Sequence, residues 1–109
     1  MKIEQYASKI IDWSAIPKEQ FPGETGMTTW QTQMMNDIRV RMVQFSPGYK
    51  ADHLCNKGHV IFCLEGELEV GLPNGSQLIL SQGMTYLIGD DTEPHLALSE
   101  NGCKLFIVD

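Results

Sequence analysis

Short runs with a period of two dominate the chain from about residue 27 onward. In Ile38–Phe45, Ile38, Val40 and Met42 fall on one parity and Arg39 and Arg41 on the other, the alternation of a strand with two unlike faces. Residues 28–34 alternate in the same way, with Trp30 and Met34 on one parity. Further strands are predicted over residues 49–55, 59–65, 67–72, 77–81, 84–88, 95–99 and 103–108. Turn signals separate them: Asn36-Asp37, Pro47-Gly48, Asn56-Lys57-Gly58, Gly66, Pro73-Asn74-Gly75, Gln82-Gly83, residues 89–92 and Glu100-Asn101-Gly102. Asn74-Gly75 between two such runs is a strong hairpin signal. Ahead of this region, Ile3, Tyr6, Ala7, Ile10 and Ile11 have helical spacing and predict one short helix. Residues 12–26, with Pro17, Pro22, Gly23 and Gly26, read as an irregular arm.

About nine short strands with closely spaced turns mark a sandwich or barrel. No long helical pattern lies between strands, so a parallel βαβ architecture is not expected. The division expected is an N-terminal arm over residues 1–26 packed on a barrel over residues 27–109.

A length of 109 residues is that of one domain, and 42% apolar residues suffice for one compact core. The formal net charge of −6, with no local Lys/Arg run, repels phosphate backbones and anionic membranes, so neither nucleic acid nor membrane is expected as a partner. No apolar run approaches the roughly 18 residues of a membrane span. The start, Met1-Lys2-Ile3-Glu4-Gln5-Tyr6, lacks the apolar stretch of a signal peptide, and a cytoplasmic location is the expectation. Three cysteines, an odd number, argue against a disulfide framework. Cys63 and Cys103 sit among apolar neighbours and read as core; Cys55 stands among histidines.

The chemistry concentrates there. His53 and Cys55 are two residues apart, and in a strand such residues project to one face. His59 shares a parity with Ile61 and Cys63, which marks that face as interior, and His95 begins a later strand. All three histidines of the chain and one cysteine therefore fall at strand starts or ends.

Their spacing resembles the cupin motifs. The first runs here as Gly48, His53-Leu54-Cys55, His59 and Gly66; the second leads from Gly83 through Pro94 to His95. The stretch Asp52-His53-Leu54-Cys55-Asn56-Lys57-Gly58-His59 is similar to the small cupins named for a DHCW motif, with Leu54 in place of the tryptophan. The resemblance implies an all-β, cupin-type double-stranded β-helix, a jelly-roll barrel with an irregular N-terminal arm. It also implies a metal held in the lumen by His53, Cys55, His59 and His95, with Cys55 where that family's second histidine stands and His59 where its glutamate stands.

Three imidazoles and a thiolate suit a divalent transition metal, Zn, Fe or Ni, better than Mg or Mn. Four bound ligands would make a closed, structural zinc; three would leave a position for water or substrate. Metal-dependent catalysis on a small molecule, a non-catalytic small-ligand or metal-binding module, and a metal-free cupin are all compatible with these residues, as is Cys55 acting as a nucleophile. Tyr86 and Glu93 are the acid/base candidates by nearness in sequence. Trp30, Met34, Met84 and Tyr86 read first as core and second as pocket lining. The run Asp90-Asp91-Thr92-Glu93 reads as a solvated loop. Val60, Phe62 and Leu64 form an apolar row opposite His59, which the arm, another sheet or a second subunit must cover; a homodimer is expected.

Overall fold

The computed structural model describes residues 2–109. Among these residues nine strands follow in order: β1 (Glu19–Pro22), β2 (Met27–Met35), β3 (Ile38–Phe45), β4 (Tyr49–Lys50), β5 (His59–Gly71), β6 (Gln77–Ser81), β7 (Thr85–Ile88), β8 (Leu96–Ser99) and β9 (Cys103–Val108). Every pairing is antiparallel. One layer runs β1-β2-β3-β9-β5-β7 and the other β4-β8-β5-β6, so β5 belongs to both.

That sharing changes one sequence expectation. Gly66 does not end a strand and begin another; it bends a single thirteen-residue strand. The register against β9 shifts between Cys63 and Glu65, and Gly66, at φ 76°, stays paired with Cys103. A bulge with a positive-φ glycine tightens the local twist and turns the strand from one layer into the next. A Cβ at this position would lie 2.3 Å from the Gly102 carbonyl oxygen.

The predicted helix is absent. Residues 3–11 carry no regular structure, and Ile10 is 98% exposed. A nine-residue helix rich in isoleucine needs tertiary packing to persist, and here nothing receives its apolar stripe. The only helical turn among the described residues is a 3₁₀ turn at Trp13–Ala15, capped by the Asp12 side chain. Within the arm, β1 pairs with β2 along Glu19↔Trp30 to Pro22↔Met27. It is an edge strand, which explains how Pro22 is accommodated at its end. Phe21 packs diagonally on Trp30, with ring centroids 4.7 Å apart.

The core lies between the layers, around Cys63, Leu68, Val70, Leu105 and Ile107. Cys63 and Cys103 are both buried, as their apolar neighbours imply. On β3 the interior face is the one carrying Arg39, Arg41, Val43 and Phe45, so a buried guanidinium enters the barrel: Arg41 is 4% exposed. The opposite row stays open on the outer surface, with Val60 39%, Phe62 37% and the adjoining Leu87 70% exposed.

Candidate metal site in the barrel lumen

Three short devices set the geometry at the mouth of the barrel. Cys55 and His95 form an isolated antiparallel bridge and exchange both backbone hydrogen bonds, at 2.8 and 3.0 Å. The loop before His59 is clasped by the acidic loop: Asp90 accepts the Gly58 N–H at 2.6 Å, and the Asp91 N–H reaches the Asn56 carbonyl at 2.8 Å. His59 then opens β5, paired with Ile88 of β7.

These devices bring Cys55, His59 and His95 together, one donor atom from each lying within 4.8 Å of the others. The Cys55 sulfur is 3.5 Å from Nε2 of His59, and the two imidazoles meet edge to face at 5.2 Å between centroids. Both rings are oriented through Nδ1. His59 donates from Nδ1 to Oδ2 of Asp109 at 2.8 Å, and His95 donates from Nδ1 to the Glu93 carbonyl at 3.1 Å. A proton held at Nδ1 leaves the Nε2 lone pair free, which is how metal-binding histidines are commonly prepared. Among the described residues, Nε2 of His95 has no hydrogen-bond partner, and it is buried. The Cys55 sulfur accepts the Lys57 N–H at 3.4 Å. Two imidazoles and a thiol so arranged could hold a transition-metal ion.

The structure brings together three of the four ligands expected from the sequence and sets His53 apart. Strand pairing begun at Tyr49 stops after Lys50, and residues 52 and 53 form a bend, so the parity rule does not operate between His53 and Cys55. The His53 side chain is 79% exposed and hydrogen-bonds to Asp52 through Nδ1. Asp90, read as part of a solvated loop, is the clasp on Gly58.

Behind the triad lies a network that the sequence reading did not identify. Asp109, with a fully buried side chain, receives His59, Nε and Nη2 of Arg39 at 2.9 and 3.2 Å, and Nη2 of Arg41 at 2.9 Å. Burial pushes the Asp109 carboxyl upward, but the bonds from His59 and Arg39 and the charges of Arg41 and Arg39 outweigh it. The group is held well below the usual carboxylate range. Arg41 lies over the Trp30 ring, 4.3 Å from its centroid. The available signal was the parity of β3, where Arg39 and Arg41 share a face with Val43 and Phe45.

The cavity is about 280 Å³, at the small end of ligand pockets. Trp30, Arg41, Tyr86 and the triad line it; Met34 and Met84 do not, at 46% and 53% exposed. Burial and the nearby Glu93 charge raise the Tyr86 phenol, so its hydroxyl is a proton donor at neutral pH.

The fold is that of the cupins. An RmlC-like cupin from Shewanella frigidimarina superposes with a TM-score of 0.76 at 17% identity, covering 96% of this chain and 92% of that one. Ectoine synthase from P. lautus gives 0.74 at 15% identity over 93% and 76% of the two chains. The polyketide cyclase RemF from Streptomyces resistomycificus gives 0.72 at 19% identity over 94% and 78%. No sequence-family model matches the chain, and no curated protein matches it in sequence. Neighbours with such different names establish a shared architecture and leave the activity to the site itself.

Proposed function

We propose that this is a small metal-binding cupin whose lumen binds and transforms a small molecule, with the ion held by Cys55, His59 and His95. The observation that carries this reading is the preparation of both imidazoles: Asp109 and the Glu93 carbonyl fix Nδ1, Nε2 of His59 faces the Cys55 sulfur at 3.5 Å, and Nε2 of His95 is buried without a partner among the described residues. Three protein ligands with an open position is the arrangement of catalytic rather than structural sites. An ion there would supply a Lewis acid and an activated bound water or substrate. The residues themselves orient the ligand: Trp30 walls the cavity, Arg41 places positive charge, and Tyr86 offers a hydroxyl proton.

The Asp52 to His59 segment supports placing the chain with the DHCW-motif cupins. Its three unpaired cysteines fit a reducing compartment such as the cytoplasm. The exposed row of Val60, Phe62 and Leu87 supports a homodimer through the outer face of the first layer.

The decisive test is elemental analysis of purified protein, followed by cobalt substitution. The reading expects near-stoichiometric transition metal and a thiolate-to-cobalt absorption band that is lost in Cys55→Ser. Protein that carries no metal and takes none up on reconstitution would leave the non-catalytic, metal-free cupin as the correct description.

A further inference from the structure

We propose that the lumen also carries a carboxylate-recognition site, formed by Arg41 and Tyr86 beside the triad, and that its ligand is a small monocarboxylic acid with an apolar body. This deepens the small-molecule reading above and rests on the lumen being the ligand site, but not on the metal.

The argument is an account of unmet hydrogen-bonding capacity. Among the described residues, three buried side-chain atoms have no hydrogen-bond partner: Nε of Arg41, the Tyr86 hydroxyl and Nε2 of His95. All three residues line the same cavity. The His95 atom belongs to the triad. The other two are donors, and buried donors left without acceptors are costly and rare. The nearby carboxylate cannot serve them, because Asp109 already accepts from Arg39, Arg41 and His59. An acceptor brought in from outside would satisfy both.

Charge favours an anion at the Arg41 end of the cavity. Arg41 is 4% exposed and Arg39 lies beside it, two guanidiniums sharing the Asp109 side-chain carboxylate, while Asp52 lines the cavity elsewhere and the Glu93 charge bears on Tyr86. An ion on the triad would add positive charge and the Cys55 thiolate would remove part of it. The positive charge of the lumen is thus concentrated at Arg41 and Arg39, in a chain whose formal net charge is −6. Burial of the guanidinium strengthens a charge-assisted hydrogen bond made there. A dianion would set its second charge against Asp109 and Cys55, which favours a singly charged acid. Size and lining choose the remainder: about 280 Å³, walled by Trp30, Tyr86, Ile61 and Leu68, takes a compact apolar body. Trp30 holds the Arg41 guanidinium in place through its ring face while its own Nε1–H is spent on Thr28 at 3.0 Å.

The test is isothermal titration of propionate and benzoate, each against its amide, on protein as purified and on chelator-stripped protein. At least one acid is expected to bind one-to-one in both preparations, about tenfold or more tighter than its amide, as expected of a site built around an ionic partner. Arg41→Gln should weaken that acid by about tenfold or more, Tyr86→Phe by severalfold, and the Trp30 indole N–H resonance should shift on titration. Equal affinity for acid and amide, no binding of either acid by about 10 mM, or wild-type affinity in Arg41→Gln overturns the proposal. If Arg41→Gln does not fold, unchanged affinity in Tyr86→Phe together with a silent Trp30 resonance overturns it. Acid binding that disappears with the metal but survives Arg41→Gln puts the carboxylate on the ion, refuting this inference while supporting the metal reading. Arg41-dependent binding in protein unable to take up metal does the reverse.

Discussion

Cys55 and His95 stand directly opposite each other, forty residues apart in sequence, and exchange both of their backbone hydrogen bonds. Their side chains are therefore placed by main-chain pairing rather than by loop packing, and His59 is brought to them by β5. Removing one of the three ligands should lower transition-metal affinity by two orders of magnitude or so, since even the partners behind metal ligands are commonly worth about 10–100-fold. His53→Ala should leave metal stoichiometry and affinity unchanged, because its side chain is 79% exposed and lies outside the triad. Elemental analysis and competition with a chromophoric chelator measure both. A loss of metal in His53→Ala equal to that in Cys55→Ser would restore a four-ligand site.

Asp109 holds the network together from behind. Asp109→Asn keeps the shape but removes the charge that balances Arg39 and Arg41, leaving the buried Arg41 guanidinium uncompensated. Breaking a buried ion pair at one partner typically costs about 3–5 kcal/mol. Urea unfolding should show a loss near the lower end of that range, because Arg39 is partly exposed. Metal affinity should fall with it as His59 loses its orienting acceptor. A variant within about 0.5 kcal/mol of the parent would mean that the network is incidental to stability.

The cysteines should separate by reactivity. Burial pushes the Cys103 thiol up to about 11 and raises Cys63 as well, so neither forms appreciable thiolate near neutrality. On metal-free protein at pH 8, iodoacetamide should alkylate Cys55 and spare the other two until the chain is unfolded, which peptide mass spectrometry resolves. The same shift has a stability sign. A thiol whose folded value is raised favours the fold while protonated, below the ordinary 9.0, and that contribution is lost as pH rises toward 11. Cys103→Ala should therefore flatten the alkaline limb of the stability profile.

Gly66→Ala should be among the costlier single-methyl additions in the chain. The residue sits at φ 76°, where a side chain costs about 1–2 kcal/mol, and its new Cβ would meet the Gly102 carbonyl oxygen at 2.3 Å. A drop in the urea midpoint exceeding that conformational cost is expected; a neutral variant would show that β5 can bend without glycine.

The outer face of the first layer should carry the dimer. Light scattering at micromolar concentration is expected to give twice the 12.2 kDa chain mass. Phe62→Glu and Leu87→Glu should give monomers that remain folded, since both side chains are already exposed. A monomeric parent protein would remove the proposal.

The strands of the barrel were legible because alternation with turn punctuation is a local property, and most strand boundaries follow from it. The Asn74-Gly75 hairpin is one case: the Gly75 N–H bonds back to the Leu72 carbonyl at 3.0 Å. What misled were features decided by partners distant in sequence. Ile3 to Ile11 has helical spacing but no surface to bury against. Gly66 has turn chemistry, yet ladder pairing to Cys103 carries the strand through it. His53 and Cys55 have strand spacing, yet pairing had already ended at Lys50. In the candidate site, the soft ligands Cys55, His59 and His95 stood out by residue type. Arg41 and Asp109 did not, because a charged residue on an alternating strand reads as solvent-facing until its partner, here 68 residues away, is known.

His59 rides on the part of β5 that belongs to one layer, while Cys55 is stitched to His95 just before β8 of the other. The triad therefore straddles the seam of the jelly roll. Any parting of the two walls would pull its donor atoms asunder, and an ion held there would act as a rivet across that seam, coupling occupancy of the site to rigidity of the shell.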